Sequence, residues 1–436
     1  MAADPARLLA FDVLRAVADE DAFANIELSR LLRERRMSGR DAALATELVG
    51  GTLRMRGAYD AVVDQLVGRP LDEPVRDALR LGTHQLLSMR VPTHAAVGTT
   101  VDLVKRRVGH RPAGLVNAVL RKVADRSLEE WLAGRDVAER FSHPAWVVDA
   151  LARALGRPEE LEALLRADNE RPAVTLVARP GLATREELGG TPLEVSPYAV
   201  SLPGGDPGAL PAVREGRAGV QDAGSQLVAL ALSRAHVEGM DERWLDLCAG
   251  PGGKAALLAA LAALAGAKVL AHERQPHRAR LVAQAARAAA AGLLGVVAGD
   301  GTQPSWRPES FDRVLVDAPC TGLGALRRRP ESRWRRRPED LPGLVALQAA
   351  LLRTALDAVR PGGVVVYATC SPVVEETAGV VGSVLADRAD ARLEPAVGLL
   401  PEVSDAESAH LHGAVQLWPH RHGTDAMFVA LLRRVR

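Results

Sequence analysis

The sequence predicts a multidomain protein: an all-helical N-terminal bundle, a small α+β middle segment and a C-terminal α/β domain with a doubly wound parallel sheet. Apolar residues recur at helical spacing from residue 5 to about residue 126. From Gly219 onward, short apolar strands alternate with Ala-rich helices, which is typical of a parallel sheet covered by helices. Three domains are therefore expected, spanning residues 1–128, 129–218 and 219–436.

Composition excludes several classes of protein. A hydrophobic content of 47% with 25% charged residues is ordinary for a globular chain, and the formal charge of +1 gives no global attraction to nucleic acid. The N-terminus lacks the signature of a signal peptide, and the longest apolar runs are Ala-rich and interrupted. The three cysteines have no zinc-like spacing. We expect a cytoplasmic, monomeric protein with reduced cysteines, no metal and no membrane segment.

The N-terminal bundle is predicted from helical stripes separated by short Gly- and Pro-containing breaks. Basic residues gather at Arg33–Arg40 and again between Lys105 and Lys122. Each cluster alone reads as a solvated helix face, and together they are a candidate RNA-facing surface. The stripes cover Ala6–Ala18, Ala42–Leu53, Tyr59–Val67, Val75–Leu87, Ala95–Val108 and Gly114–Ala124.

The middle segment is less regular. Trp131–Leu165 has a helical pattern, and Pro172–Ala178 reads as a strand. A Pro- and Gly-rich stretch follows and ends near Gly219, so either a small α+β segment or an elaborate linker is compatible with it.

The C-terminal domain is predicted to have five strands that lead into polar loops, followed by a closing pair formed by Gln416–His420 and Ala426–Arg433. Its helices are predicted at Lys254–Leu264, His277–Ala291 and Leu344–Val359. In open α/β sheets, ligands bind beyond the carboxyl ends of the strands, so the residues that follow each strand are the candidates for chemistry. The five strands are Arg243–Leu247, Lys268–His272, Gly295–Ala298, Arg313–Val316 and Gly363–Ala368.

A glycine-rich loop joins the first of these strands to its helix. Its glycines allow close approach of a ligand, and the helix N-terminus offers free N–H groups. The spacing matches neither the dinucleotide fingerprint nor the P-loop, so an S-adenosylmethionine site is the better match. The loop consists of Cys248, Ala249, Gly250, Pro251, Gly252, Gly253 and Lys254.

Acidic residues end three of the strands. Glu273 is placed to hold the ribose hydroxyls of a nucleotide, Asp300 the adenine amino group, and Asp317 the cofactor or a substrate base. An acid at one strand end is as often a cap or turn residue, but three at successive strand ends favour a binding site.

Two cysteines follow neighbouring strands: Cys320 in Asp-Ala-Pro-Cys and Cys370 in Tyr-Ala-Thr-Cys-Ser-Pro. Cysteine thiolates suit cytosine chemistry, because addition to C6 makes C5 nucleophilic enough to accept a methyl group. A thiol titrates near ~8.5, so cationic groups or backbone donors must lower its pKa, and Lys254 is a candidate. Cys248, inside the glycine loop, is expected to pack against neighbouring side chains rather than to react.

An arginine-rich segment follows Cys320. Seven arginines, one acid and Trp334 lie between Arg327 and Arg337, a combination that suits phosphate contacts and base stacking on single-stranded RNA. A charge run is more often simply solvated. The predicted RNA contacts are Arg327, Arg328, Arg329, Arg333 and Trp334.

Taken together, these motifs closely resemble the RsmB (Sun/Fmu) family of ribosomal RNA cytosine-5 methyltransferases over essentially the whole chain. Ala42–Arg54, Leu79–Leu87 and Val116–Lys122 resemble the family's NusB-like RNA-binding domain, and Gly219–Ser225 resembles the start of its Rossmann-like class I methyltransferase domain.

The resemblance implies roles for individual residues. The Cys248–Lys254 loop, Glu273, Asp300 and Asp317 match positions that bind S-adenosylmethionine. Cys370 matches the nucleophile, and Cys320 the cysteine that assists release of the methylated product. The family more often has Asp at the position of Glu273 and Ala at that of Gly250.

The resemblance implies methyl transfer to C5 of an unpaired or flipped cytosine in small-subunit (16S) ribosomal RNA. A transfer-RNA or DNA cytosine methyltransferase is the alternative among enzymes. A non-enzymatic RNA-binding or assembly factor is the alternative outside them. The retained glycine loop, strand-end acids and cysteines argue against that second alternative.

Overall fold

A computed structural model of the chain describes residues 4–20 and 22–435. The chain divides into two compact units. The first contains the chain up to Asp149 together with Leu165–Glu170 and Leu326–Arg336, and the second contains Ala150–Leu164, Arg171–Ala325 and the chain from Arg337 onward.

The first unit is helical, as predicted. Leu9, Leu48, Leu79 and Leu103, from four different helices, are fully buried in one core. Sequence analysis missed the helix Ala24–Glu34, which buries little beyond Leu28 and Leu31 and so has a weak apolar stripe. The helices of this unit are Pro5–Asp19, Ala24–Glu34, Gly39–Arg54, Arg56–Asp64, Glu73–Leu87, Thr93–Arg107, Ala113–Val123, Leu128–Trp131 and Val137–Arg140, and Ala145–Leu155 begins in it.

The arginine-rich segment Leu326–Arg336 is part of this first unit, and its short helix is Ser332–Arg335. Arg333 is fully buried and donates hydrogen bonds to the carbonyls of Ser142 (3.1 Å) and Asp168 (3.2 Å). Its guanidinium also donates to Oδ1 of Asn169 at 2.7 Å. Burial lowers the pKa of Arg333 to about 10. Arg333 therefore has a structural role in place of the predicted RNA contact, because its guanidinium donates hydrogen bonds to backbone carbonyls and a side chain of the protein itself.

Other side chains of the segment also serve the helical unit. The indole N–H of Trp334 donates to the carbonyl of Leu53 at 3.3 Å, and the Arg56 guanidinium lies 5.5 Å from the centre of its ring. Arg327 is 7% exposed. By contrast Arg328 is half-buried and Arg329 is exposed, so these two keep the accessibility that an RNA contact needs.

The second unit contains a small antiparallel sheet that matches the predicted α+β segment. Its central strand β1 pairs antiparallel with β3 and with β4. The strand order is β2-β3-β1-β4. The strands are β1 (Val174–Ala178), β2 (Thr191–Pro192), β3 (Ala199–Leu202) and β4 (Ala218–Val220).

The large sheet of the second unit has the predicted parallel, doubly wound core. Its order is β10-β12-β9-β8-β5-β6-β7, with β11 paired to β12. The five strands from β9 to β7 in this order are parallel, while β12 pairs antiparallel with β9 and with β10, which is the edge strand. The strands are β5 (Arg243–Asp246), β6 (Lys268–Glu273), β7 (Leu293–Ala298), β8 (Phe311–Asp317), β9 (Val359–Thr369), β10 (Ala391–Glu394), β11 (Val415–Gln416) and β12 (Phe428–Arg434).

The strand order reverses between β5 and β8. From β5 the chain continues outward to β6 and β7, then returns to place β8 and β9 on the other side of β5. Such a switch point opens a crevice beyond the carboxyl ends of the strands, where ligands bind. The loops that follow β5, β6, β8 and β9 all meet there.

Helices cover the sheet. Leu341–Ala358 belongs to a stretch, Pro338–Ala358, that is long and apolar enough to cross a membrane by length and composition alone. Its apolar composition has a structural cause, since Leu352, Ala355 and Leu356 are fully buried in one core with Val314 and Val365 of the sheet. The longer helices of this unit are Ala223–Arg234, Gly253–Ala265, Pro276–Ala286, Leu341–Ala358 and Ala378–Ala386.

Candidate active site

The two cysteines predicted to be reactive lie side by side. Because β8 and β9 are adjacent and parallel, the loops that follow them run together, and Sγ of Cys320 is 3.4 Å from Sγ of Cys370. Both side chains are half-buried. The hydrogen bond to Cys370 and burial raise the pKa of Cys320 well above its usual range, so this residue holds its proton.

A lysine–aspartate pair lies at the same edge of the sheet. Lys254, in the first turn of the helix Gly253–Ala265, donates to Oδ2 of Asp317 at 2.8 Å. Burial disfavours the ammonium, but Asp317, and after it the ionised forms of Cys370 and Asp246, outweigh burial and raise the pKa of Lys254. Lys254 is therefore a fixed positive charge whose field reaches Cys370.

Sequence analysis missed Asp246, the last residue of β5. Its side chain is fully buried, and in the described part of the chain neither carboxylate oxygen has a hydrogen-bond partner of normal geometry, although the backbone N–H of Cys248 is near enough to favour the ionised form. Burial, and then the nearby Asp317, raise its pKa to about 7. A cationic group beside Asp246 would favour its ionised form. The available signal was its place at a strand end, as for the other three acids.

The glycine loop turns sharply from β5 into the helix that begins at Gly253. Gly252 has a left-handed backbone with φ of 114°, and a Cβ there would lie 2.9 Å from Cα of Val282. The N–H of Ala249 donates to the carbonyl of His272 at 2.8 Å, which ties the loop to β6. Burial raises the pKa of Cys248 well above its usual value. This thiol stays protonated and packs with the core of the sheet.

Glu273, at the end of β6, lies directly against the glycine loop. Its side chain is 4% exposed, and Oε1 accepts the N–H of Gln275 at 2.9 Å. A Cβ on Gly250 would lie only 1.9 Å from Oε2 of Glu273. Arg278 donates to the carbonyl of Gly250 at 2.7 Å. The absence of a side chain at position 250 is thus what leaves room for a glutamate at position 273.

Asp300 follows β7 and is exposed. Its Oδ1 accepts the N–H of Thr302 at 2.9 Å and the hydroxyl of Thr302 at 2.8 Å. These two bonds, the backbone one first, lower the pKa of Asp300. Asp300 is therefore an ionised turn residue on the rim of the sheet, beside the end of β6.

Comparison with known proteins identifies the family to which the chain belongs. Residues 236–433 match a family model described as 16S rRNA methyltransferase RsmB/F, and residues 4–125 match the NusB family. The chain is 52% identical to the putative methyltransferase Rv1407 of Mycobacterium tuberculosis, covering 99% of this chain and 97% of that protein. The chain belongs to the RsmB/F methyltransferase family, with an N-terminal NusB domain.

Two further relatives come from other bacteria. The probable ribosomal RNA small subunit methyltransferase B of Synechocystis is 32% identical over 98% of this chain and 99% of its own length. The ribosomal RNA small subunit methyltransferase B of an Escherichia coli O6 strain is 35% identical over 83% of this chain and 85% of its own. The crystal structure of PH0851 has a similar fold, with a TM-score of 0.79 and 23% identity, covering 99% of each chain.

This RsmB/F methyltransferase uses S-adenosylmethionine. The residues present fit that cofactor. The glycine loop presents backbone N–H groups at a helix N-terminus, which suit a carboxylate. The buried oxygens of Asp246 have no hydrogen-bond partner of normal geometry among the described residues and suit a cationic group, and Glu273 offers a carboxylate to hydroxyls.

Proposed function

We propose that this RsmB/F methyltransferase transfers the methyl group of S-adenosylmethionine to C5 of an unpaired or flipped cytosine in 16S ribosomal RNA, in the cytoplasm. The proposal includes a covalent intermediate between Cys370 and C6 of the base. The observation that carries it is the 3.4 Å separation of the two sulfur atoms beside the Lys254–Asp317 pair. The substrate class is taken from the names of the relatives.

Cys370 is the nucleophile in this proposal. Either sulfur can be the donor of the hydrogen bond between them, and we assign the donor role to Cys320, whose pKa is raised, so that its S–H favours the thiolate of Cys370. The positive charge of Lys254 acts in the same direction. Attack of the thiolate on C6 forms the S–C6 bond and moves the π electrons of the C5–C6 bond toward C5. Asp317 is proposed to hold the N4 amino group or a protonated N3.

The cofactor, when bound, supplies an electrophilic methyl group to C5. Cofactor contacts are proposed for Asp317, Glu273, Asp300 and the loop Cys248–Lys254. A base then takes the proton from C5, the electrons of the C5–H bond restore the C5–C6 double bond, and the sulfur of Cys370 departs as a thiolate with the electrons of the S–C6 bond. Cys320 is proposed to assist this release. Arg328 and Arg329 are the residues of the arginine segment that we retain as RNA contacts.

The proposal is tested by methyl transfer from labelled S-adenosylmethionine to 16S ribosomal RNA isolated from cells that lack the protein. We expect label in this RNA and, after bisulfite sequencing, a new C5-methylcytosine. Transfer RNA and DNA oligonucleotides serve as competing substrates. Label in one of these but not in ribosomal RNA would contradict the substrate, and label on another atom would contradict the chemistry.

The close approach of Gly250 and Glu273 gives a separate prediction about the cofactor. Gly250→Ala places a Cβ where Oε2 of Glu273 lies, so the carboxylate must move and its contact with the ribose is lost. A hydrogen bond to a charged group contributes about 1.5–3 kcal/mol, so the Kd for S-adenosylmethionine should rise roughly 10-fold to 100-fold, as measured by calorimetry.

The double variant Gly250→Ala/Glu273→Asp should recover most of this affinity, because the shorter side chain leaves space for the new methyl group. Gly343→Ala is the matched control, since a Cβ there meets nothing within 4 Å. Unchanged affinity in Gly250→Ala would show that Glu273 does not contact the cofactor.

A further inference from the structure

A buried carboxylate lies directly behind the two cysteines. Glu376, which ends the short helix Val374–Glu376 after β9, is fully buried. Its Oε1 accepts the N–H of Thr321 at 2.8 Å and the side-chain amide of Gln348 at 3.0 Å. Its Oε2 accepts the hydroxyls of Thr321 at 2.5 Å and of Ser371 at 2.6 Å. This one side chain therefore accepts four hydrogen bonds from three other residues.

The partners of Glu376 are the immediate neighbours of the cysteines. Thr321 follows Cys320, and Ser371 follows Cys370, so one carboxylate holds both loops. The two hydroxyls also lie 2.9 Å from each other. Gln348 reaches the first loop a second time, since its amide donates to the carbonyl of Pro319 at 2.8 Å. A buried carboxylate is costly unless its bonds are all made, so this cluster resists partial opening.

We propose that Glu376 is a positioning residue that sets the separation of the two cysteine sulfurs. Its effect on methyl transfer rests on the function proposed above for the cysteines. Glu376 is fully buried, and both of its oxygens accept hydrogen bonds from the two loops. It therefore acts through Cys320 and Cys370 rather than on a substrate. Without it, each loop keeps its strand and the two loops keep direct contacts such as that between Thr321 and Ser371, but they lose the carboxylate that bridges them.

The hydrogen bonds of Glu376 allow the length of its side chain and its negative charge to be tested separately. Glutamine has the same length, and its oxygen can accept the two N–H donors at Oε1. Its NH2 group would then face the hydroxyls of Thr321 and Ser371, which can rotate to accept. Aspartate keeps the charge but is one methylene shorter, so it cannot reach both loops. Glu376→Gln should therefore preserve the geometry that Glu376→Asp loses.

The experiment compares these two variants in the full-length protein, with Glu375→Asp as the matched control. Glu375 is half-buried and forms a salt bridge with Arg153 at 2.9 Å. Two readouts are measured: kcat and KM for methyl transfer, and the rate at which diamide links Cys320 to Cys370. In that second reaction the two thiols lose two protons and two electrons to form the S–S bond, and diamide is reduced to the hydrazine.

We expect Glu376→Gln and Glu375→Asp to stay within about threefold of the unmodified protein in both readouts. Glu376→Asp should lower kcat and slow the cross-link by roughly tenfold or more, with KM for S-adenosylmethionine unchanged. Ser371→Ala removes one hydroxyl bond, should slow the cross-link in the same direction, and keeps the test valid if Glu376→Asp does not fold.

Equal cross-linking rates in the unmodified protein, Glu376→Asp and Ser371→Ala would overturn the positioning role. Slower cross-linking in the variants, combined with no methyl transfer by the unmodified protein, would keep the positioning role and reject the proposed function. The two proposals are thus tested separately.

Discussion

Cys370→Ser is expected to lower the rate of methyl transfer on the order of 1,000-fold or more while leaving S-adenosylmethionine binding unchanged. A serine hydroxyl is far harder to ionise than a thiol, and neither the S–H of Cys320 nor the charge of Lys254 can provide a substitute thiolate. A 1,000-fold loss corresponds to about 4 kcal/mol of transition-state stabilisation. Single-turnover transfer from labelled cofactor measures the rate, and calorimetry measures binding.

The contrast between the two measurements makes this prediction specific. A variant that is merely misfolded loses both, whereas loss of the nucleophile removes only the chemical step. Cys320 lies 3.4 Å away and is the alternative nucleophile. If Cys370→Ser kept most of its activity and Cys320→Ser lost it, the roles assigned to the two cysteines would be reversed.

Sequence located the candidate residues of the site other than Asp246, because parallel strands place their loops on one edge of the sheet. Asp317 and Cys320 were recognisable as the polar end of an apolar run, and Cys370 as the end of the next strand in the sheet. The glycine loop and Glu273 followed from the same rule. To predict that these residues lie together, only the order of the strands in the sheet was needed. The alternation of strands and helices along the chain largely determines that order.

Side-chain reach across the sheet could not be predicted in this way. The conflict between a Cβ at position 250 and Oε2 of Glu273 depends on the exact distance between β6 and the glycine loop. The four bonds of Glu376 require two loops to converge on a residue several positions past Cys370. Neither has a period or spacing that a sequence pattern displays.

The arginine segment shows a further limit. RNA contact was predicted for Arg327, Arg328, Arg329, Arg333 and Trp334 because arginines beside a tryptophan suit phosphate contacts and base stacking, although a charge run is more often simply solvated. Arg333 instead satisfies its donors on backbone carbonyls and an asparagine inside the helical unit, where burial lowers its pKa to about 10. Charge density alone does not distinguish a surface arginine from one that uses backbone carbonyls as acceptors.

The proton on Cys320 gives the second large effect. In the free protein, the hydrogen bond to Cys370 and burial raise the pKa of Cys320. Once Cys370 is bonded to C6, its sulfur is a neutral thioether, so the strongest reason for Cys320 to hold its proton disappears. The pKa of Cys320 should fall at that stage, and this thiol then becomes better able to donate its proton to the sulfur of Cys370 as that sulfur departs from C6.

Cys320→Ser should therefore permit addition but slow elimination, and a protein–RNA adduct that survives denaturant should accumulate. We expect a slower band on a denaturing gel that contains both labelled RNA and protein, together with turnover reduced by roughly 100-fold or more. The double variant Cys320→Ser/Cys370→Ser is the matched control and should form no such band, because it lacks the nucleophile. An adduct in Cys370→Ser, or none in Cys320→Ser despite normal cofactor binding, would refute the release role, since the trapped bond must involve Cys370 and must outlast methyl transfer.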